Sequence, residues 1–84
     1  MRLISQDGAY DFPYEHVVVY RNETSVVCGI MPDIREKVLL GKYNSKTKAL
    51  KVIEMLREEY LETVYDYRIR PKVFKFPTDE EIEV

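Results

Sequence analysis

The chain has 84 residues, a formal net charge of −2, a sequence pI near 5.4 and one cysteine. A chain of this length makes one domain and buries only about 60 to 65% of the surface its unfolded form exposes; a second copy or a partner could add burial, but many domains of this size fold alone, so length leaves the oligomeric state open. Cys28 alone excludes an internal disulfide framework, and the absence of a charged-then-apolar leader or an apolar run near 18 residues argues for a cytoplasmic protein that does not cross a membrane.

In chain order, Met1 to Ile4 reads as a short strand, Gln6-Asp7-Gly8 as a tight turn, and Tyr10 to Tyr14 as a returning strand. Pro13 has no amide donor, which places that strand at a sheet edge or a bulge. His16 to Arg21 and Thr24 to Ile30 are β-rich runs whose two-residue loop, Asn22-Glu23, predicts a hairpin pairing Val19 with Val26 and Val17 with Cys28. One face then carries Val17, Val19, Val26, Cys28 and Ile30, and is wholly apolar. The other carries His16, Val18, Tyr20, Ser25 and Val27, and is mixed. Met31-Pro32-Asp33 should turn the chain into a third strand, Lys37 to Tyr43.

From Asn44 onward the period changes. Ala49, Val52, Ile53, Leu56, Tyr60 and Val64 fall within a stripe about 120° wide on an ideal helix, opposite Lys51, Glu54, Glu58 and Glu62. Asn44 or Ser45 can cap the first turn, and the run Thr63-Val64-Tyr65 lowers propensity, so the helix should span about 45–62. Lys72 to Phe76, between Pro71 and Pro77, predicts a short final edge strand. Asp79, Glu80, Glu81 and Glu83 are four of the fifteen acids, and without them eleven acids face thirteen bases, so Met1 to Thr78 carries +2. The expected organisation is a domain over 1–78 and an acidic, flexible tail over 79–84, which in a second reading docks against basic residues of the body. The fold class is α+β: one antiparallel sheet of four to six strands with a single long helix packed on it.

No stretch combines the residue types and spacings of a catalytic, metal or cofactor site. His16 and Cys28 are the only residues of their kinds and point to opposite faces of the hairpin, so a nucleophilic dyad is not expected. Glu54, Glu58 and Glu62 form one helical row, which by itself cannot wrap a cation. More unusual is the charge order along the helix. Lys42, Lys46, Lys48 and Lys51 crowd its start and Glu58, Glu59 and Glu62 its end, each against the helix dipole at a cost of about 0.3 to 1 kcal/mol. A positive helix start suits an anion or nucleic acid, making these four lysines the candidate contacts for that chemistry. Arg68, Arg70, Lys72 and Lys75, interleaved with Tyr67, Phe74 and Phe76, form a second basic and aromatic run. The pI and the acidic tail oppose phosphate binding. Seven tyrosines suit protein interfaces, and Leu50, Met55 and Leu61 lie outside the helix stripe. Val18, Tyr20, Val27, Leu50, Met55 and Leu61 are therefore the candidate protein-contact residues.

Ile4-Ser5-Gln6-Asp7-Gly8, then Asp11-Phe12-Pro13-Tyr14-Glu15, then Leu40-Gly41-Lys42-Tyr43 leading into the helix, then Phe74-Lys75-Phe76-Pro77, resembles a family of small uncharacterised proteins of Gram-positive bacteria and their phages and mobile elements. Asn44-Ser45-Lys46-Thr47 departs from the serine or threonine followed by acids expected at that helix start. The resemblance implies a cytoplasmic accessory protein and carries no reaction and no catalytic residue. The expectation is a non-catalytic protein-interaction module that binds a protein partner or a second copy of itself, without cofactors; weak nucleic-acid binding is the alternative.

Overall fold

The computed structural model describes residues 1–30, 37–65 and 72–82. The turn expected at Met31-Pro32-Asp33, the Val64 side chain and the basic run's Tyr67, Arg68 and Arg70 lie outside the described residues. Six strands and one helix follow in order: β1 (Arg2–Ile4), β2 (Asp11–Pro13), β3 (Val17–Asn22), β4 (Ser25–Ile30), β5 (Lys37–Lys42), α1 (Lys46–Tyr65) and β6 (Val73–Lys75). Short 3-10 turns occupy Tyr14–His16 and Asp79–Glu81.

The central hairpin forms with a register two residues away from the expected one. Asn22 stays in β3 opposite Ser25, the loop is Glu23-Thr24, and Val19 faces Cys28 while Val17 faces Ile30. One backbone conformation and two hydrogen bonds hold this register. Glu23 adopts a left-handed φ of 54° at the first loop position, the Arg21 guanidinium donates to the Glu23 carbonyl at 2.8 Å, and the Thr24 carbonyl accepts the Tyr43 amide at 3.1 Å. Since side chains alternate with period 2, a slip of two residues leaves each on its expected face. Val26 and Cys28 are accordingly buried in the core, with Val17 and Val19 packed beside them.

β5 adds to β4 in antiparallel fashion, with Val26 opposite Gly41 and Val27 opposite Leu39. Leu40 has no partner between them and forms a bulge. The bulge turns the Leu40 side chain into the core and leaves its carbonyl free to accept the Gln6 amide at 2.6 Å. Gly41 next to it is sterically required, because a Cβ there would lie 2.8 Å from the Tyr43 hydroxyl and 3.0 Å from its ring.

The expected single antiparallel sheet is corrected to two three-stranded sheets, β2-β1-β6 and β3-β4-β5. β1 pairs antiparallel with β2 and parallel with β6, and the final strand is Val73–Lys75 rather than Lys72 to Phe76. A 20-residue helix carries the chain roughly 30 Å along the molecule, so β6 can return beside β1 in the same direction. Gln6 keeps the two sheets from merging. Its side-chain amide accepts from the Lys42 N–H at 3.0 Å and donates to the Lys42 carbonyl at 3.3 Å, occupying the edge of β5 where a strand would lie. The same amide nitrogen donates to the Pro77 carbonyl at 3.0 Å, so one side chain joins β1's end, β5 and the C-terminal segment.

Ser45 caps the helix, its hydroxyl accepting the Lys48 amide at 3.2 Å. Ala49, Val52 and Leu56 form the buried stripe with Leu3, Val26, Cys28, Leu40, Phe74 and Phe76. Lys51, Glu54, Glu58 and Glu62 face outward, as the period demands. At the helix end Lys72 meets Glu62 at 3.3 Å and Glu59 at 3.6 Å, and Tyr60 packs against Tyr14 with ring centroids 4.4 Å apart.

Candidate functional site

The register of β3, β4 and β5 lays the outer face of that sheet out as a grid. Val18, Gly29 and Lys37 form one row, Tyr20, Val27 and Leu39 the next, and Asn22, Ser25 and Lys42 the third. Val18 and Leu39 are 42% and 50% exposed and Tyr20 is half-buried. Val27, expected as a contact residue, is only 5% exposed, since a central-strand side chain has Tyr20 on one flank and Leu39 on the other. It fills the middle of the face instead of projecting from it. Leu39 is the exposed apolar residue of this face that sequence reasoning missed. The signal was there in Leu39-Leu40: only one of two adjacent leucines on a strand faces inward, though which one depends on the bulge. None of the nine positions carries an acid, and lysines stand at both ends of β5.

The helix offers a second surface. Leu50 and Leu61 are each half exposed, and eleven residues equal about three turns plus 20°, so they lie on the same side. Met55, grouped with them from the sequence, is corrected to a half-buried residue packed on the core. It lines an open groove of about 410 Å³ between α1 and β6, with Glu58, Glu59, Val73, Phe74 and Lys75.

At the helix start the four lysines have separate fates. Lys42, Lys46 and Lys51 are exposed, and Lys46 lies 3.8 Å from Glu23. Lys48 is committed internally, its ammonium 3.2 Å from an Asp79 carboxylate oxygen and 3.1 Å from the Asp79 carbonyl. The other Asp79 oxygen accepts the Asn44 amide at 2.7 Å. The first turn of α1 contains no acid of its own, so Asp79 supplies the negative charge that the dipole favours there. Accepting the Asn44 amide, with Lys48 nearby, holds the Asp79 carboxyl below its ordinary range. Glu81 is lowered too, by bonds from the Thr78 backbone and hydroxyl. The segment expected as a flexible tail is thus folded onto the body through Ile82, which is buried in the core. Glu83 and Val84 lie outside the described residues. The Tyr43 hydroxyl donates to the Pro77 carbonyl at 2.8 Å from a buried position; burial, then the charges of Asp79 and Glu81, push its titration far upward.

Cys28 is fully buried and burial raises its thiol, while His16 is exposed at the end of the first 3-10 turn. The structure does not bring them together. Among the described residues no group of three or more His, Cys, Asp or Glu converges, and no helix is long and apolar enough to cross a membrane.

Neither the family models, nor the curated proteins, nor the solved structures compared with this chain provide a match.

Proposed function

We propose that this protein is a non-catalytic protein-interaction module of phage or mobile-element origin, acting in the cytoplasm and binding a protein partner through the outer face of the β3-β4-β5 sheet. The observation that carries the reading is the exposure of Val18 and Leu39 beside Tyr20 around a filled centre, on a face with lysines but no acids. Such a face gains from burial of its apolar centre, and its charge selects an acid-rimmed partner. The origin and compartment rest on the sequence resemblance and the cysteine usage described above. Nucleic-acid binding through the helix start is the weaker reading, because Lys48 is already paired with Asp79 and only Lys42, Lys46 and Lys51 face solvent.

A photo-cross-linking residue placed at Leu39 tests the interaction reading in cells. Capture of a discrete protein there, lost on Val18→Asp and absent when the cross-linker is placed at Lys51, is the expected result. Equal capture at both positions, or nucleic acid as the main adduct, overturns it.

A further inference from the structure

We propose that two copies of this chain associate through the free edge of β3, joining two three-stranded sheets into one antiparallel sheet of six. This goes beyond the interaction reading, since it concerns the strand edge and not the outer face, and rests on that reading only in taking Val18 and Tyr20 as contact residues.

The direction of the β3 backbone follows from its neighbours. The Thr24 carbonyl accepts from Tyr43, so it points toward β5, and alternation along β4 then points Val26 and Cys28 the same way and Ser25, Val27 and Gly29 toward β3. Asn22, Tyr20 and Val18 complete those bonds. Val17, Val19 and Arg21 therefore direct their N–H and C=O groups away from the sheet. Among the described residues no strand pairs with that edge; the Val17 amide donates to the Tyr14 carbonyl and closes the first 3-10 turn, which leaves the Val17 carbonyl and both groups of Val19 and Arg21 facing outward.

Every other sheet edge carries a device against pairing. Gln6 occupies the edge of β5 with its backbone amide and its side chain. β2 is three residues long and contains Pro13, and β6 is three residues long with an exposed lysine at Lys75. By contrast β3 runs for six residues, begins with three valines and a tyrosine, and has neither proline nor lysine. Its one charge, Arg21, is turned back onto the Glu23 carbonyl. Natural edges of this length and composition are normally guarded or used.

The strand is also self-complementary. A two-fold axis at Val19 pairs Val19 with Val19 of the second copy, Val17 with Arg21 and Val18 with Tyr20, and uses the outward groups of Val19 and Arg21 together with the Val17 carbonyl. The Val18–Tyr20 pairs are β-branched against aromatic, a favourable cross-strand combination that covers the exposed Val18. An axis at Arg21 would instead set two guanidinium groups face to face. No acid is needed in the partner, since the backbone supplies the recognition.

Residue-resolved amide exchange on the unmodified chain, with light scattering over a concentration series up to about 1 mM, tests the pairing, because a one-strand interface belongs to the weak class. The expected result is a mass rising from 10.0 kDa toward twice that value, with the Val19 and Arg21 amides slowed at least tenfold only at high concentration. Val18, Tyr20 and Asn22 amides should be protected equally throughout. Val19→Pro removes an outward donor while leaving the β3–β4 ladder whole, and should give a folded monomer. A monomer at every concentration, a dimer whose Val19 and Arg21 amides exchange as in the monomer, or a folded Val19→Pro protein that dimerises like the parent would each overturn the proposal. Where the proline variant does not fold, the exchange pattern of the parent decides. Leu39 lies two strands from this edge, so its cross-linking reads the sheet face separately from β3 pairing.

Discussion

Glu23 and Gly41 show how single residues set the local geometry. Glu23 holds a left-handed φ that costs a non-glycine residue about 1 to 2 kcal/mol, and its exposed ion pair with Lys46 returns little. Glu23→Gly should therefore raise stability by roughly 0.5 to 1 kcal/mol after allowing for glycine's greater unfolded-state entropy, measured as an upward shift of the urea midpoint at constant slope. Gly41→Ala should act in the opposite sense by about 1 to 3 kcal/mol, because its Cβ meets the Tyr43 ring, which is anchored through its hydroxyl to Pro77. Tyr43→Phe combined with Gly41→Ala would relieve the 2.8 Å approach to oxygen, so a double-mutant cycle should show coupling between the two sites.

At the scale of elements, the C-terminal segment behaves as part of α1's N-terminal end. Asp79 has its titration depressed in the folded state, so the stability it contributes is present above its ordinary value of 3.8 and is lost as pH falls through the lower folded value. Glu81 adds a change of the same sign from its ordinary 4.5 downward. Asp79→Asn should thus lower the thermal midpoint at pH 7 and narrow the gap between parent and variant as the pH approaches 3, followed by circular dichroism. Deleting 79–84 should destabilise further, because it also removes Ile82 from the core. An unchanged midpoint after that deletion would show that the docking contributes nothing.

For the whole molecule, Gln6 and Cys28 report on cohesion. Gln6→Ala removes three side-chain hydrogen bonds that span both sheets and the C-terminal segment, an expected loss of about 1 to 3 kcal/mol with far-UV dichroism little changed. Cys28 is wrapped by both the sheet and the helix and its thiol is raised by burial, so thiol reagents should label it only at the rate of opening. Rapid labelling of the native protein would contradict the packing described here.

The helix, its buried stripe, the inward face of the central hairpin and the turn at Gly8, whose φ is 77°, were all legible in the residues, since each follows from a period of 3.6 or 2 or from a local backbone preference. Even a wrong loop position did no harm to the face assignment, because the slip was two residues. What the sequence could not decide was pairing between distant segments. The parallel return of β6 to β1, the Leu40 bulge that exposes Leu39, the Gln6 amide standing in for a strand, and Asp79 seated at the start of α1 all join groups more than thirty residues apart or hinge on a bulge's position. Pattern along the chain specifies which side of an element is apolar. Only tertiary packing, where every buried polar group must find a partner, selects which polar side chain reaches across to close an edge or cap a helix.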